Sequence, residues 1–242
     1  MKKLYEKSEI WFAVAMIIAY CLLASIGDEI SASIGIKKIV TVPIMVVFSG
    51  IIILFLKKNQ MFTKYGLCKS EVPASKMLYY IPIVVFVTEN LWYGVALNMS
   101  SLETVLYILF MFCVGFLEEI IFRGFLFEAM RKDGVKSAII VSSVTFGIGH
   151  IVNLFNGSGA ELLPNICQVI YATAIGFMFV MIYYKTKSLW VCIIAHALYN
   201  SLSAIADQSA LTPQKRILFC IIISILTGGY AIYIATKVKD EK

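Results

Sequence analysis

The chain has 242 residues, 60% of them apolar and 15% charged, with a mean hydropathy of +0.85 and a net charge of +6. Soluble domains carry about 25% charged and 45–50% apolar residues, so this composition excludes a disordered chain and an ordinary soluble domain. The six cysteines sit singly, which excludes a disulfide-stapled scaffold, and the basic residues fill gaps between apolar runs rather than lining one helix face, which excludes nucleic acid as a partner.

A membrane-crossing helix needs roughly 20 mostly apolar residues, with about 17 as the floor. In chain order the runs that qualify are residues 10–26, 39–56, 77–97, 105–127, 138–155, 162–184, 189–205 and 217–235. The first follows Lys2, Lys3 and Lys7. It is longer than the apolar core of a signal peptide and has no small-x-small cleavage site before Asp28, so it is predicted to be a retained span. The gaps are short and carry turn residues: Gly134 before the fifth run, Asn156-Gly157-Ser158-Gly159 after it, Pro213 before the eighth. Backbone groups in hydrocarbon must be satisfied within their own segment, so the runs are predicted to be helices. The expected fold is an all-α polytopic membrane protein of about eight transmembrane helices in one integral membrane domain, residues 1–242, with its motif-bearing core at about 105–205. Cys21, Cys113, Cys167, Cys192 and Cys220 lie in apolar runs as small buried hydrophobes.

An even number of spans puts both termini on one side. That side's termini and gaps hold sixteen Lys and Arg residues, against four in the opposite gaps: Lys37, Lys38, Lys215 and Arg216. The positive-inside rule then predicts a multi-pass cell-membrane protein with both termini cytoplasmic and residues 31–35 and 156–161 outside. The remaining basic residue, Arg123, lies within the fourth span.

The fourth span also holds Glu118 and Glu119. A charge at a span centre costs roughly 2.5–3.5 kcal/mol on insertion scales, so three ions facing lipid would cost on the order of 7–10 kcal/mol. Glu119 and Arg123 are spaced i, i+4 and can pair. Glu118 points about 100° away and needs another partner inside the bundle. The only two histidines are also intramembrane: His150 closes Phe146-Gly147-Ile148-Gly149-His150, and His196 opens His196-Ala197-Leu198-Tyr199-Asn200, which puts Asn200 on the same helix face. Gly147 and Gly149 leave room beside His150 for another helix or a substrate backbone. At about 1.5 Å per residue, Glu118, His150 and His196 reach comparable depths. Glu89-Asn90 is a weaker candidate: it could line the same cavity, but beside Trp92 and Tyr93 the favoured reading is an outer-interface pair; Asn153, Asn165 and Gln168 read as loop or packing residues, and Asp28 and Glu29 as outer-loop charges.

The chain lacks a His-Glu-x-x-His pair, a Gly-x-Ser-x-Gly elbow and a phosphate-cradling glycine loop. The set that remains is competent for amide hydrolysis: Glu118 as general base, His150 orienting water, His196 and Asn200 donating to the oxyanion, and Glu119 with Arg123 in support. Glu118, His150 and His196 also equal in number the ligands of a catalytic zinc site. A metal-free mechanism is the expectation, because a ligating Glu118 is not a free base and Arg123 opposes a dication. No cofactor is otherwise implied.

Glu118-Glu119-x-x-x-Arg123, then Phe146-x-x-x-His150, then His196-x-x-x-Asn200, in order along successive spans, resembles the CAAX protease and bacteriocin-processing (Abi) family of intramembrane endopeptidases. The resemblance covers about residues 116–200. It implies a glutamate-dependent endopeptidase of eight helices around a central polar cavity open to the cytosol, acting on a membrane-associated peptide or protein in the lipid bilayer, in peptide maturation or bacteriocin self-immunity rather than on prenylated tails. Two readings from other classes are a non-catalytic scaffold or immunity protein and a small proton-coupled transporter. The first conflicts with the intact motif set, the second with the lack of an inverted repeat.

Overall fold

The computed structural model describes residues 1–155 and 160–238; the turn expected at 156–159, and Lys239 and Lys242 of the basic count, lie outside the described residues. A short surface helix α1 (Lys2–Lys7) turns at Ser8 into α2 (Glu9–Ile34), the Ser8 hydroxyl accepting from the Trp11 amide at 3.2 Å. Gly35, at φ 82°, ends α2 in the left-handed conformation that suits glycine. Helix α3 (Thr41–Lys58) returns to a loop that carries Lys64. Lys64 and Lys132 both pair with Glu9, at 2.9 and 3.0 Å, and tie the N-terminus, this loop and a later helix corner together.

The expected third span is not one helix. The chain forms a 3-10 stretch (Ala74–Tyr80), the seven-residue α4 (Ile81–Val87) and a 3-10 turn (Glu89–Leu91). Leu78, Tyr79 and Tyr80 have φ of 51°, 51° and 59°, which breaks the helix before Pro82, and α4 stops where Glu89 and Asn90 turn inward. At about 1.5 Å per residue α4 alone rises roughly 10 Å. The segment nevertheless passes from one end of the bundle to the other. Near its start the Glu71 amide donates to Thr186 O at 2.9 Å and the Tyr230 hydroxyl to Met77 O at 2.6 Å; near its finish the Ala96 amide donates to Ile205 O at 2.9 Å. Irregular backbone is tolerated at membrane depth where protein buries it, and α4 lies against later helices of the bundle.

The fourth run is longer than expected. Helix α5 (Ser101–Glu119) starts at a capping box of Ser100 and Glu103. It continues through a π-helical stretch (Ile120–Phe127) into α6 (Glu128–Arg131), one apolar element from Ser101 to Arg131. After Gly134 come α7 (Val135–Gly149), its 3-10 extension (His150–Leu154), α8 (Leu162–Thr186), the shorter α9 (Trp190–Leu202) and α10 (Pro213–Lys237), which begins with Pro213 in its first turn and Thr212 as its cap. Among the described residues six helices are long and apolar enough to cross a membrane, and α9 with its 3-10 extension is a shorter apolar one. The protein is an all-α polytopic membrane protein. Of the eight expected crossings, the third is broken and the seventh is short.

Side chains bury in two clusters. One joins α2, α3, α5 and the π-helical stretch around Phe12, Phe55, Leu117 and Phe125; the other joins α4, α8, α9 and α10 around Phe86, Phe179 and Ile223. Two close approaches set the relative positions of the helices. A methyl on Gly115 would meet Ala197 N at 2.7 Å, so α5 and α9 touch through backbone. A methyl on Gly147 would meet Thr173 N at 2.9 Å, which seats α7 on α8. Gly149, also expected to make room, has nothing within 4 Å of where a methyl would stand, so no close approach depends on it. All six cysteines are free, with Cys21 and Cys113 only half-buried.

Candidate active site

Glu118 and Glu119 end the regular part of α5, and Arg123 sits one turn on inside the π-helical stretch, every residue of which is buried. π-helical bulges recur at functional sites because they re-aim side chains against the helix axis. The Gly115–Ala197 contact lies one turn before Glu118 and one residue after His196, and it draws the acidic end of α5 onto α9.

Glu119 is the hub of a buried network. Its Oε1 accepts from Arg123 Nη1 at 3.1 Å and stands 2.8 Å from His196 Nδ1, with Glu119 and Arg123 both fully buried. The sequence paired Glu119 with Arg123 alone; His196 as a second partner comes from the α5–α9 contact. Arg123 Nε and Nη2 have no hydrogen-bond partner, but the guanidinium lies 4.1 Å from the centroid of the Phe146 ring, whose π face compensates the charge.

Glu118 faces the other way. Tyr20, from the middle of α2, donates its hydroxyl to Oε1 at 2.6 Å. Oε2 is buried without a hydrogen-bond partner and lies 3.6 Å from His196 Nε2, beyond hydrogen-bonding range. A buried carboxylate oxygen left without a donor is costly, and such exceptions concentrate at catalytic positions.

His150 begins the 3-10 extension of α7. Its Nδ1 contacts Phe146 O at 3.0 Å, and its own carbonyl accepts from Asn165 Nδ2 at 2.8 Å. Asn165 therefore fixes this turn, a role beyond the packing expected for it. Phe146 stands between the histidines, its ring centroid 5.2 Å from that of His150 and 5.8 Å from that of His196.

A cavity of about 1090 Å³ is walled by Glu118, His150, Asn200 and Tyr20, among others. His196 does not line it. The structure sets His196 behind Glu118, against both carboxylates, and not on the cavity wall beside Asn200 where the shared helix face would have put it. Asn200 is on the wall, and its carbonyl accepts from the Ser203 hydroxyl at 2.6 Å. Glu89, read from sequence as an interface residue, is buried in the same wall: its two oxygens accept from Tyr93 at 2.7 Å and Tyr199 at 3.2 Å, while Asn90 donates to Tyr199 O at 2.8 Å. Asp28, expected as an outer-loop charge, lies inside α2, where it pairs with Lys38 at 2.8 Å and accepts from Thr41 at 2.6 Å, also at the cavity wall.

Sequence reasoning missed Tyr20, one of thirteen tyrosines and the only one within the first apolar run. The available signal was the i, i+4, i+8 row Tyr20, Ala24, Asp28, all of which line the cavity.

The zinc count does not carry over into geometry. Among the described residues no three His, Cys, Asp or Glu side chains converge as a metal-binding group. Nδ1 of each histidine is engaged, by Glu119 and by the Phe146 carbonyl, and one Glu118 oxygen is held by Tyr20, contacts that orient the two Nε2 atoms and Glu118 Oε2 without themselves deciding for or against a metal. No step below runs through a metal.

Residues 99–202 match the family model described as "Type II CAAX prenyl endopeptidase Rce1-like". The match spans the whole acid, histidine and asparagine set. Among curated proteins, the chain is similar to one from Bacillus subtilis (strain 168) named "Putative membrane peptidase YdiL", 37% identical over 86 residues; the aligned part is 35% of this chain and 30% of that relative's length. No solved structure matches.

Proposed function

We propose that this chain, whose residues 99–202 match the Rce1-like family model, is a glutamate-dependent intramembrane endopeptidase cutting a membrane-associated peptide or protein. The observation that carries the reading is Glu118: a carboxylate at membrane depth, held on one oxygen by Tyr20, with the other buried and unpartnered at a cavity wall shared with His150 and Asn200.

In the proposed mechanism Glu118 Oε2 takes a proton from water as that water attacks the peptide carbonyl. His150, with Nδ1 on a backbone carbonyl, offers its Nε2 edge to orient the attacking water. The Asn200 amide donates to the oxyanion as it forms. Glu118 then passes its proton to the departing amine, the bond to carbon breaks and both peptide products leave. His196 supports the reaction from behind. It is gripped by Glu119, which Arg123 holds in turn, and it backs the unpartnered Glu118 oxygen. The excess of Lys and Arg at one end of the bundle supports both termini being cytoplasmic.

The test compares membrane peptidomes of cells carrying the wild-type chain and Glu118→Gln. The substitution keeps shape and removes the base, so cleavage is expected to fall by at least about 10²–10⁴-fold, the usual worth of general acid–base catalysis, with unchanged membrane accumulation. Equal sets of new termini from the two chains would remove Glu118 from the mechanism.

A further inference from the structure

The cavity is confined to one end of the bundle. Helix α2 contributes only from Ile17 onward, α5 nothing past Phe122 of its π-helical continuation, and α7 only its last turns from Thr145. From α8 the wall takes only residues up to Tyr171, and from α10 residues up to Ile223. Every one of these stretches lies toward the end that carries Lys37, Met99 and Leu211, which also line the cavity. No residue of the 57–76 loop, of α6 or of the α8–α9 turn takes part. Glu118 is thus near the floor, and the cavity runs away from the lysine-rich end toward the sparsely basic one. The resemblance had implied the opposite, a cavity open to the cytosol.

The charge count and the cavity direction are independent observations. The first, through the positive-inside rule, assigns the lysine-rich end to the cytoplasm, and the second gives the end toward which the cavity extends from Glu118. We propose that the active site is entered from the extracytoplasmic side of the membrane, and that the substrate is therefore a peptide segment presented at the outer leaflet, such as an exported or membrane-inserted peptide, and not the tail of a cytoplasmic protein. This rests on the proteolytic reading above for the word substrate; the access route itself does not. On this route the peptide passes a rim with Lys37 and Arg216 and the Asp28–Lys38 pair before reaching Glu118.

The experiment uses the full chain in intact cells and in inverted membrane vesicles, with a membrane-impermeant thiol reagent and peptide mapping by mass. Two single substitutions report opposite ends. Ser25→Cys lies on the cavity wall, and Lys69→Cys is exposed in the lysine-rich loop. Ser25→Cys is expected to be modified from outside intact cells and lost as a target in inverted vesicles, with Lys69→Cys doing the reverse. The native Cys21 on the cavity wall and Cys68 in the loop give the same contrast in the unsubstituted chain, should either variant fail to accumulate. Modification of Lys69→Cys from outside and Ser25→Cys from inside overturns the proposal through the orientation. Modification of Ser25→Cys from neither side, or only from inside while Lys69→Cys keeps its expected side, overturns it through the cavity. Labelling does not depend on turnover, so expected labelling together with membrane peptidomes that are identical in cells with and without the chain would sink the protease reading and leave the access route standing.

Discussion

Removing either member of the Glu119–Arg123 pair perturbs the network that holds His196, and the structure predicts an order of severity. Both side chains are fully buried, and breaking a buried pair by removing one partner costs roughly 3–5 kcal/mol. The two losses are not symmetric. Arg123→Met leaves Glu119 with His196 Nδ1 still at 2.8 Å, so its cost belongs near 3 kcal/mol, the lower end of that range. Glu119→Gln leaves the guanidinium without a countercharge, its Nε and Nη2 already lacking partners, and belongs near 5 kcal/mol, the upper end. For a chain of this size such losses correspond to a fall in Tm on the order of 10 °C. The double variant removes both charges together and should lose less than the sum, with a coupling energy of about 0.5–3 kcal/mol. The assay is thermal unfolding of purified protein in one detergent, followed by intrinsic fluorescence across the four chains of the cycle. Additive losses, or Arg123→Met proving the more damaging single change, would refute the argument that Glu119 is shared between Arg123 and His196.

Tyr20→Phe keeps the ring and removes a hydrogen bond to a charged group, worth about 1.5–3 kcal/mol. Turnover should fall by roughly tenfold or more at unchanged membrane accumulation, about 1.4 kcal/mol being one factor of ten; an unaltered rate would show that Tyr20 does not orient Glu118. Gly115→Val forces α5 from α9, where even a methyl would stand 2.7 Å from Ala197 N, and should lower stability by about 1–3 kcal/mol and activity with it. A fully active, equally stable variant would mean that the backbone contact does not set the site. His150→Ala should reduce cleavage while leaving Tm close to wild type, since His150 lies outside the Glu119 network; normal cleavage rates would remove it from the mechanism. A tight chelator should leave cleavage intact, and inactivation with full rescue by one divalent ion would recast Glu118, His150 and His196 as ligands.

Composition and spacing are enough to identify the solvent of this protein and its candidate chemistry. Lipid-facing apolar runs of membrane length satisfy their backbone as helices, and Glu118, Glu119, Arg123, His150 and His196 are too costly in a bilayer to lie there without partners. The i, i+4 spacing of Glu119 and Arg123 was legible because one helix fixes it. What lay between helices was not. The partnership of His196 with both glutamates depends on Gly115 meeting Ala197, and nothing in the apolar pattern of α5 or α9 marks which faces touch. Tyr20 reaches Glu118 across 98 positions of sequence, and Glu89 turns from an interface residue into a cavity carboxylate because Tyr93 and Tyr199 donate to it. The third run was predicted as a helix because hydropathy registers length and apolarity but not backbone. There the packing of α9 and α10 holds an irregular crossing that hydropathy cannot tell from a regular one. Which end of the bundle the cavity faces was not legible in any one segment, because its wall is assembled from α2, α5, α7, α8, α9 and α10 and exists only in their mutual packing.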